Sequence, residues 1–227
     1  MKSPVFITLT LTLLTLASPA REPNTLTEEE TKDGWQLLFD GKSAEHWRNY
    51  KKEDISEKWV IEDGALTLTG KGGGNIITRE QFESYELVLE FKISEGGNSG
   101  LMFGVTETDK PPYATGPEVQ IIDNAKGKDP QKTGWLYQLY KPETDTAKPA
   151  GEWNEIRLKL VKGAASTVWV NGQKYYDFIQ GSDDWNERVS KSKFTKWPEF
   201  GTFTKGHICL QDHGNRVSFR NIRIRKL

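Results

Sequence analysis

The amino-acid sequence predicts an all-β fold: two antiparallel sheets packed as a jelly-roll β-sandwich. Three observations carry this expectation. Apolar–polar alternation recurs along the chain, glycine-containing turn signals separate the alternating runs, and only one stretch could form a helix. Roughly a dozen short strands with frequent turns make the pattern of a sandwich. The chain is long for an immunoglobulin-like domain, and its single cysteine leaves no pair for that fold's disulfide.

Lys2 is followed by "VFITLTLTLLTLASPA", an apolar run ending in small residues. It matches a secretory signal over residues 1–20, cleaved after Ala20 or, as second choice, after Ala17. The run falls short of the roughly 20 apolar residues of a membrane span, so no stable membrane insertion is expected. No cysteine follows it to carry a lipid. The expected location is therefore secreted or periplasmic. Residues 21–33, "REPNTLTEEETKD", lack apolar periodicity and are expected to form a polar, loosely ordered linker. Residues 34–227 read as one domain.

Within it, "WVIEDGALTLTG" gives two short strands joined at Asp63-Gly64, a hairpin signal because both residues tolerate positive φ. "YELVLEFKI" places Tyr85, Leu87, Leu89, Phe91 and Ile93 on one face and Glu86, Val88, Glu90 and Lys92 on the other. "GLMFGV" and "PEVQIID" supply further strands. "EIRLKLVKGAASTVWVNGQKYYDF" reads as three more, turning near Gly163 and at Asn171-Gly172, and "HICLQD" adds another. The candidate helix is Ser182 to Phe194, where Asp183 and Asp184 suit a start but the apolar face is thin.

Composition narrows function. Lys and Arg number 31 against 32 Asp and Glu, a formal net charge of −1, and no long basic run argues for nucleic acid as a partner. Cys209 alternates with Ile208 and Leu210, so burial is its reading; no flanking motif marks a reactive thiol. Three scattered histidines (His46, His207, His213) and no cysteine pair exclude the common zinc spacings, and no EF-hand loop is present. No metal and no cofactor is expected.

Four polar clusters interrupt the apolar pattern. "GGNSGLMFG" sets Asn98 and Ser99 before a strand among glycines that let backbone approach a ligand; a simple turn is the alternative. "GPEVQIID" puts Glu118 and Gln120 on one face, about 6–7 Å apart, and Asp123 on the other. That is either an edge strand facing solvent or an acid beside an amide. In "GEWNEIRL", Trp153 either stacks on a sugar ring or belongs to the core. In "LQDHGN", Gln211 and His213 share a face with Asp212 opposite; an imidazole can take or give a proton near neutral pH, or merely close a turn. Glu118 and Asp123 lie on opposite faces, which counts against an ordinary two-carboxylate glycosidase.

Together, "GWQLLFDGKSAEHW", "GNSGLMFG", "GPEVQIID", "GEWNEIRL", "VWVNG" and "GHICLQDHGNRVSFRNIRI" occur in the order seen in the 3-keto-disaccharide hydrolase domain family, which the chain resembles from Gly34 to Leu227. The resemblance implies a concanavalin A-like sandwich and activity on glycosides already oxidised to a ketone at C3. It implies export, an oxidised carbohydrate as substrate, and separate sugar oxidoreductases that make and later reduce the ketone. It falls on Glu118, Gln120, Gln211 and His213, and more loosely on Asn98, Ser99 and Asp123. One departure is visible: Met102 and Gly104 stand where many relatives carry an aromatic and then an arginine.

A C3 ketone acidifies the C2 proton, and the C1–O bond is β to the carbonyl. Removing that proton lets the C1 substituent leave, and water then adds across the enone. The path needs a base, an acid and donors for the enolate. His213 and Glu118 are the expected proton carriers, with Gln120, Gln211, Asn98, Ser99, Asp123 and Trp153 as substrate contacts. The alternative is a carbohydrate-binding module without catalysis, which the sandwich and the eight tryptophans suit equally.

Overall fold

The computed structural model describes residues 22–227; the expected signal at residues 1–20 lies outside them. Helix α1 (Glu28–Lys32) precedes strands β1 (Trp35–Leu37), β2 (Trp47–Asn49), β3 (Trp59–Glu62), β4 (Ala65–Leu68), β5 (Ile76–Thr78), β6 (Tyr85–Ile93), β7 (Asn98–Val105) and β8 (Glu118–Ile122). Then come β9 (Asn154–Leu160), β10 (Ser166–Val170), β11 (Gln173–Phe178), helix α2 (Asp183–Ser190), β12 (His207–Leu210) and β13 (Val217–Lys226). Short 3-10 helices lie at Pro112–Ala114 and Lys193–Lys196. Among the described residues no helix is long and apolar enough to cross a membrane.

The strands form two antiparallel sheets, the jelly-roll sandwich that the alternation predicts. The larger runs β11-β10-β9-β6-β13-β4-β3, with β1 also on β13; the smaller runs β2-β5-β12-β7-β8. Leu87, Leu89 and Phe91 of β6 and Phe219 and Ile224 of β13 meet Leu101, Phe103, Val119, Ile121 and Leu210 of the smaller sheet in one core. Two hairpins turn where the sequence places them: Asp63 and Gly64 (φ 50° and 69°) and Asn171 and Gly172 (φ 49° and 78°) are left-handed pairs, the geometry whose twist suits a two-residue hairpin.

The candidate helix is shorter than its sequence span. Ser182 caps α2 by accepting from the Trp185 N–H, and Trp185 is its one buried residue, so the apolar face ends after two turns. The chain then tightens into the 3-10 turn at Lys193–Lys196.

Residues 22–33 differ from the loose linker expected. Thr27 and Glu30 form a reciprocal capping box on α1. Glu30 pairs with Arg223 at 3.0 Å, on the outer face of the larger sheet. Buried Asn24 and Asn221 exchange backbone-to-side-chain bonds: Asn24 N donates to Asn221 Oδ1 (2.6 Å) and Asn221 N to Asn24 Oδ1 (2.8 Å). Polar residues without periodicity give no apolar signal, yet here they hold by hydrogen bonds.

Asn221 sits at a bulge in β13 with φ 54°, and its Nδ2 also donates to Glu90 Oε1 at 2.6 Å. Asn221→Ala loses these bonds and places a Cβ in left-handed backbone. It is expected to lower stability by about 2–4 kcal/mol in urea unfolding, with Asn221→Gly costing less because glycine accepts that φ. Equal losses for both variants would show that the backbone conformation carries none of the effect.

Candidate active site

The site is built on the outer face of the smaller sheet, starting from a missing side chain. In the β7–β8 register Gly100 faces Gln120 and Met102 faces Glu118, while the Gln211 N–H donates to the Gly100 carbonyl from the β12 side. Paired residues share a face, so Gln120 and Gln211 flank Gly100. A Cβ built on Gly100 would lie 2.1 Å from Glu118 Oε1, so the carboxyl occupies the space that any other residue would fill. Farther along this face Ile77, Met102, Val105 and Cys209 form a small apolar cluster. Burial pushes the Cys209 thiol up, away from reactivity.

The opening over this floor is a cavity of about 240 Å³, lined by Asn98, Tyr113, Glu118, Gln120, Asp129, Tyr137, Lys193, Gln211 and His213. The segment carrying Tyr137 runs beside β8 as a partial extra strand: Tyr137 N donates to Glu118 O (2.9 Å) and Gln120 N to Trp135 O (2.9 Å). The Tyr137 hydroxyl donates to Asp129 Oδ2 at 2.6 Å. Burial, then that bond and the charges of Asp129 and Glu118, raises the phenol's hold on its proton. Lys193 enters from the 3-10 turn, its ammonium 3.9 Å from the Tyr137 ring centroid.

Glu118 is the anomalous acid. It is 7% exposed. Burial pushes its carboxyl up to about 8; the Lys193 charge and a Gln211 hydrogen bond pull it down, and the Asp129 charge adds to the rise. Around it, Asn98 Oδ1, Gln120 Oε1 and Gln211 Oε1 are buried without a hydrogen-bond partner. Native interiors leave few such atoms unpaired, and three of them gather beside this one carboxyl.

Of the residues singled out from sequence, Glu118, Gln120, Gln211, Asn98 and His213 line this one cavity. His213 is exposed at its rim, where two further hollows meet, one beside Lys71 and Gly74 and one beside Lys128 and Asn215. Asp212 instead fixes the turn, accepting from the N–H groups of Gly74 (2.7 Å) and Gly214 (2.7 Å).

Three expected contacts lie elsewhere. Ser99 faces inward and is fully buried, its hydroxyl donating to the Gln211 carbonyl at 2.8 Å, so it supports the floor without reaching the cavity. Asp123 caps a loop: burial pushes its carboxyl up, but N–H groups of Gly96, Ala125 and Lys126 outweigh this and hold it below the usual range. Trp153 belongs to the outer face of the opposite sheet, under the Arg220 guanidinium (4.1 Å) and Lys92 (4.9 Å). Gly104 has φ 62°, and a Cβ on it would lie 3.1 Å from the Phe203 carbonyl oxygen, so a side chain at this position would be strained. Among the described residues no group of His, Cys, Asp or Glu is arranged to hold a metal ion.

Lys193, Asp129, Tyr137 and Tyr113 were not foreseen. They come from loops and 3-10 turns, where no periodicity tells which side chains face a cavity.

The Glu118 environment predicts a pH signature. Its folded-state value of about 8 stands above the ordinary 4.5, so the folded protein keeps a proton that the unfolded chain releases. Its contribution is full below about pH 4.5, declines as pH rises, and is lost by about pH 8. Glu118→Gln, which cannot ionise, is expected to remove this slope and to exceed wild type by roughly 2–4 kcal/mol at pH 8. Parallel pH–stability curves for the two proteins in chemical denaturation would contradict this.

Comparison with known proteins follows the same lines. The 3-keto-alpha-glucoside-1,2-lyase-like domain family matches residues 34–225. A curated relative, the 3-keto-disaccharide hydrolase of Bacteroides thetaiotaomicron, is 35% identical over 243 aligned positions, covering 92% of this chain and 83% of the relative. A crystal structure from Parabacteroides distasonis, described as a candidate glycosyl hydrolase, superposes with TM-score 0.84 at 37% identity, covering 91% of this chain and 100% of the other. A second one from that organism gives TM-score 0.63 at 29% identity, covering 85% and 99%. The match spans β1 through most of β13 and every residue that lines the cavity: the chain belongs to the 3-keto-alpha-glucoside-1,2-lyase-like domain family.

Proposed function

We propose that the protein is an exported glycoside-cleaving enzyme acting on 3-keto-glycosides by C2 proton abstraction, β-elimination of the C1 substituent and water addition. The observation that carries the reading is Glu118, a buried carboxyl at the floor of a cavity with three unpartnered amide oxygens. The amides of Asn98, Gln120 and Gln211 can each both donate to and accept from sugar hydroxyls. At about 240 Å³ the cavity is small for a ligand site and suits one sugar ring with its substituent in the hollows at the rim.

In this reading ionised Glu118 takes the C2 proton, and the C2–H electron pair moves into the C2–C3 bond to give an enolate at the C3 oxygen. Collapse of the enolate forms the C1–C2 double bond and breaks the C1–O bond. His213, exposed where the hollows meet, gives a proton to the departing oxygen. Water then adds to C1, His213 recovers its proton from that water, and Glu118 returns one to C2. Net hydrolysis results, with no second carboxylate needed. A carboxylate whose acid form is raised by burial is a stronger base than a surface one, which suits removal of a carbon-bound proton. Separate sugar oxidoreductases supply the ketone and consume the product.

A second reading comes from Asp129, a second carboxyl lining the cavity, which with Glu118 would make an ordinary two-carboxylate hydrolase. It is disfavoured because Asp129 already accepts from the Tyr137 hydroxyl and from the Gln131 N–H.

Aglycone release from 3-keto-glucosides and from their unoxidised parents separates the readings. Release from the oxidised compounds alone is expected, and for an aglycone that departs without protonation kcat/KM should rise through about pH 8 as Glu118 ionises. Equal turnover of both compounds supports the two-carboxylate reading. Binding without turnover of either makes the protein a carbohydrate-binding module. If the rate for that aglycone falls through pH 8, Glu118 is not the base.

His213→Ala is expected to fold as wild type, since the side chain is exposed, and to lower kcat by about 10²–10⁴-fold with a small change in KM. The loss should be largest for poor leaving groups, which need protonation most. A loss independent of the leaving group would remove His213 from that step.

A further inference from the structure

We propose that Lys193 is the electrophile of the cavity: its ammonium receives the negative charge that develops on the C3 oxygen as C2 loses its proton. The inference rests on the elimination reading above and assigns the group which that chemistry most needs and which the motifs do not supply.

Charge complementarity comes first. An enolate is stabilised by donors aimed at the oxygen where charge develops. The floor offers only neutral amides, Asn98, Gln120 and Gln211, whose N–H groups are weaker donors toward an oxyanion than an ammonium. Among the nine lining residues Lys193 is the one Lys or Arg.

Its ammonium is also uncommitted. It feels the charges of Glu118 and Asp129, which favour its protonated form, yet it makes no hydrogen bond or ion pair to another described residue. Loss of water on the side facing the protein lowers its proton affinity, which sharpens it as a donor toward an incoming oxyanion.

It is held in place without being neutralised. The Lys193 N–H donates to Gln138 Oε1 at 2.8 Å. The ammonium rests 3.9 Å from the Tyr137 ring centroid, and that ring is fixed by its hydroxyl on Asp129 and by edge contact with Phe194. Phe194 in turn stacks on Phe200 at 4.0 Å. An aromatic face attracts the cation but leaves its N–H groups free.

The test uses the full mature protein with a 3-keto-glucoside bearing a chromogenic aglycone. Lys193→Met is expected to lower kcat by about 10²–10³-fold, as loss of an oxyanion donor does, with KM within about threefold. The rise of kcat/KM with pH should move upward, because the Lys193 charge holds Glu118 down. Lys193→Arg should recover part of the rate. Inhibition by the unoxidised parent, which has no C3 carbonyl, should change less than about threefold, reporting an intact cavity. Should Lys193→Met fail to fold, Lys193→Gln is read the same way.

Turnover by Lys193→Met within threefold of wild type, with wild type active on the ketone, would overturn Lys193 and leave the elimination reading standing. A rate loss without any shift of the pH limb would likewise reject the electrostatic role. A borohydride-trapped adduct on Lys193 would replace that role by a covalent imine. If wild type releases aglycone from no 3-keto-glucoside, the elimination reading itself falls and this assignment with it.

Discussion

The pairing of β7 with β8 on one side and β12 on the other is the constraint on which the site depends. It sets Gly100 between Gln120 and Gln211 and leaves a notch that the Glu118 carboxyl enters. A slip of one residue would turn Glu118 and Gln120 into the core and bring Val119 and Ile121 out, so the apolar packing of β8 fixes the polar face as firmly as its own. Loop residues are added to this floor. Tyr137 arrives because its segment bonds to the free edge of β8, and Lys193 because its turn packs Phe194 under the same ring.

The arrangement is costly by the usual standards of a protein interior. A carboxyl is buried with no full counter-charge, and three amide oxygens lack partners. Such concentrations of unsatisfied polarity are expected where binding or proton transfer, rather than stability, sets the requirement. The raised carboxyl and the three amide oxygens share one face of the smaller sheet. Behind it the core is continuous and apolar, and the opposite sheet carries its charges in pairs, such as Glu90 with Arg220 and Glu86 with Arg225.

Strand parity explains much of what was legible beforehand. Alternation in "YELVLEFKI" and "PEVQIID" gives each strand and its buried face, and the two Asn/Asp-Gly turns give the hairpins. The same parity, carried one residue further, separates the site residues from their neighbours. Asn98 shares a face with Gly100, whereas Ser99 shares one with Leu101 and Phe103 and so points inward. Asp123 continues the inward face of Val119 and Ile121, and it ends the strand by capping a loop. Trp153 had no such marker, because it precedes β9, and only the tertiary fold reveals which sheet it covers. Lys193 and Asp129 were beyond this reasoning altogether, since their placement depends on non-local packing of irregular segments. The dissolved apolar period over residues 22–33 misled in the other direction: polar sequence was docked by hydrogen bonds instead of by burial of apolar surface.

That docking has a consequence for how the molecule is approached. Asn24 is fixed to Asn221 of β13, and α1 lies along the outer face of the larger sheet through Glu30 and Arg223. The cavity opens on the outer face of the other sheet. Residue 22, where the described chain begins, therefore lies on the far side of the sandwich from the opening. A fusion partner or affinity handle attached directly at residue 22 would start from the face away from the mouth of the cavity, two residues from the anchor at Asn24.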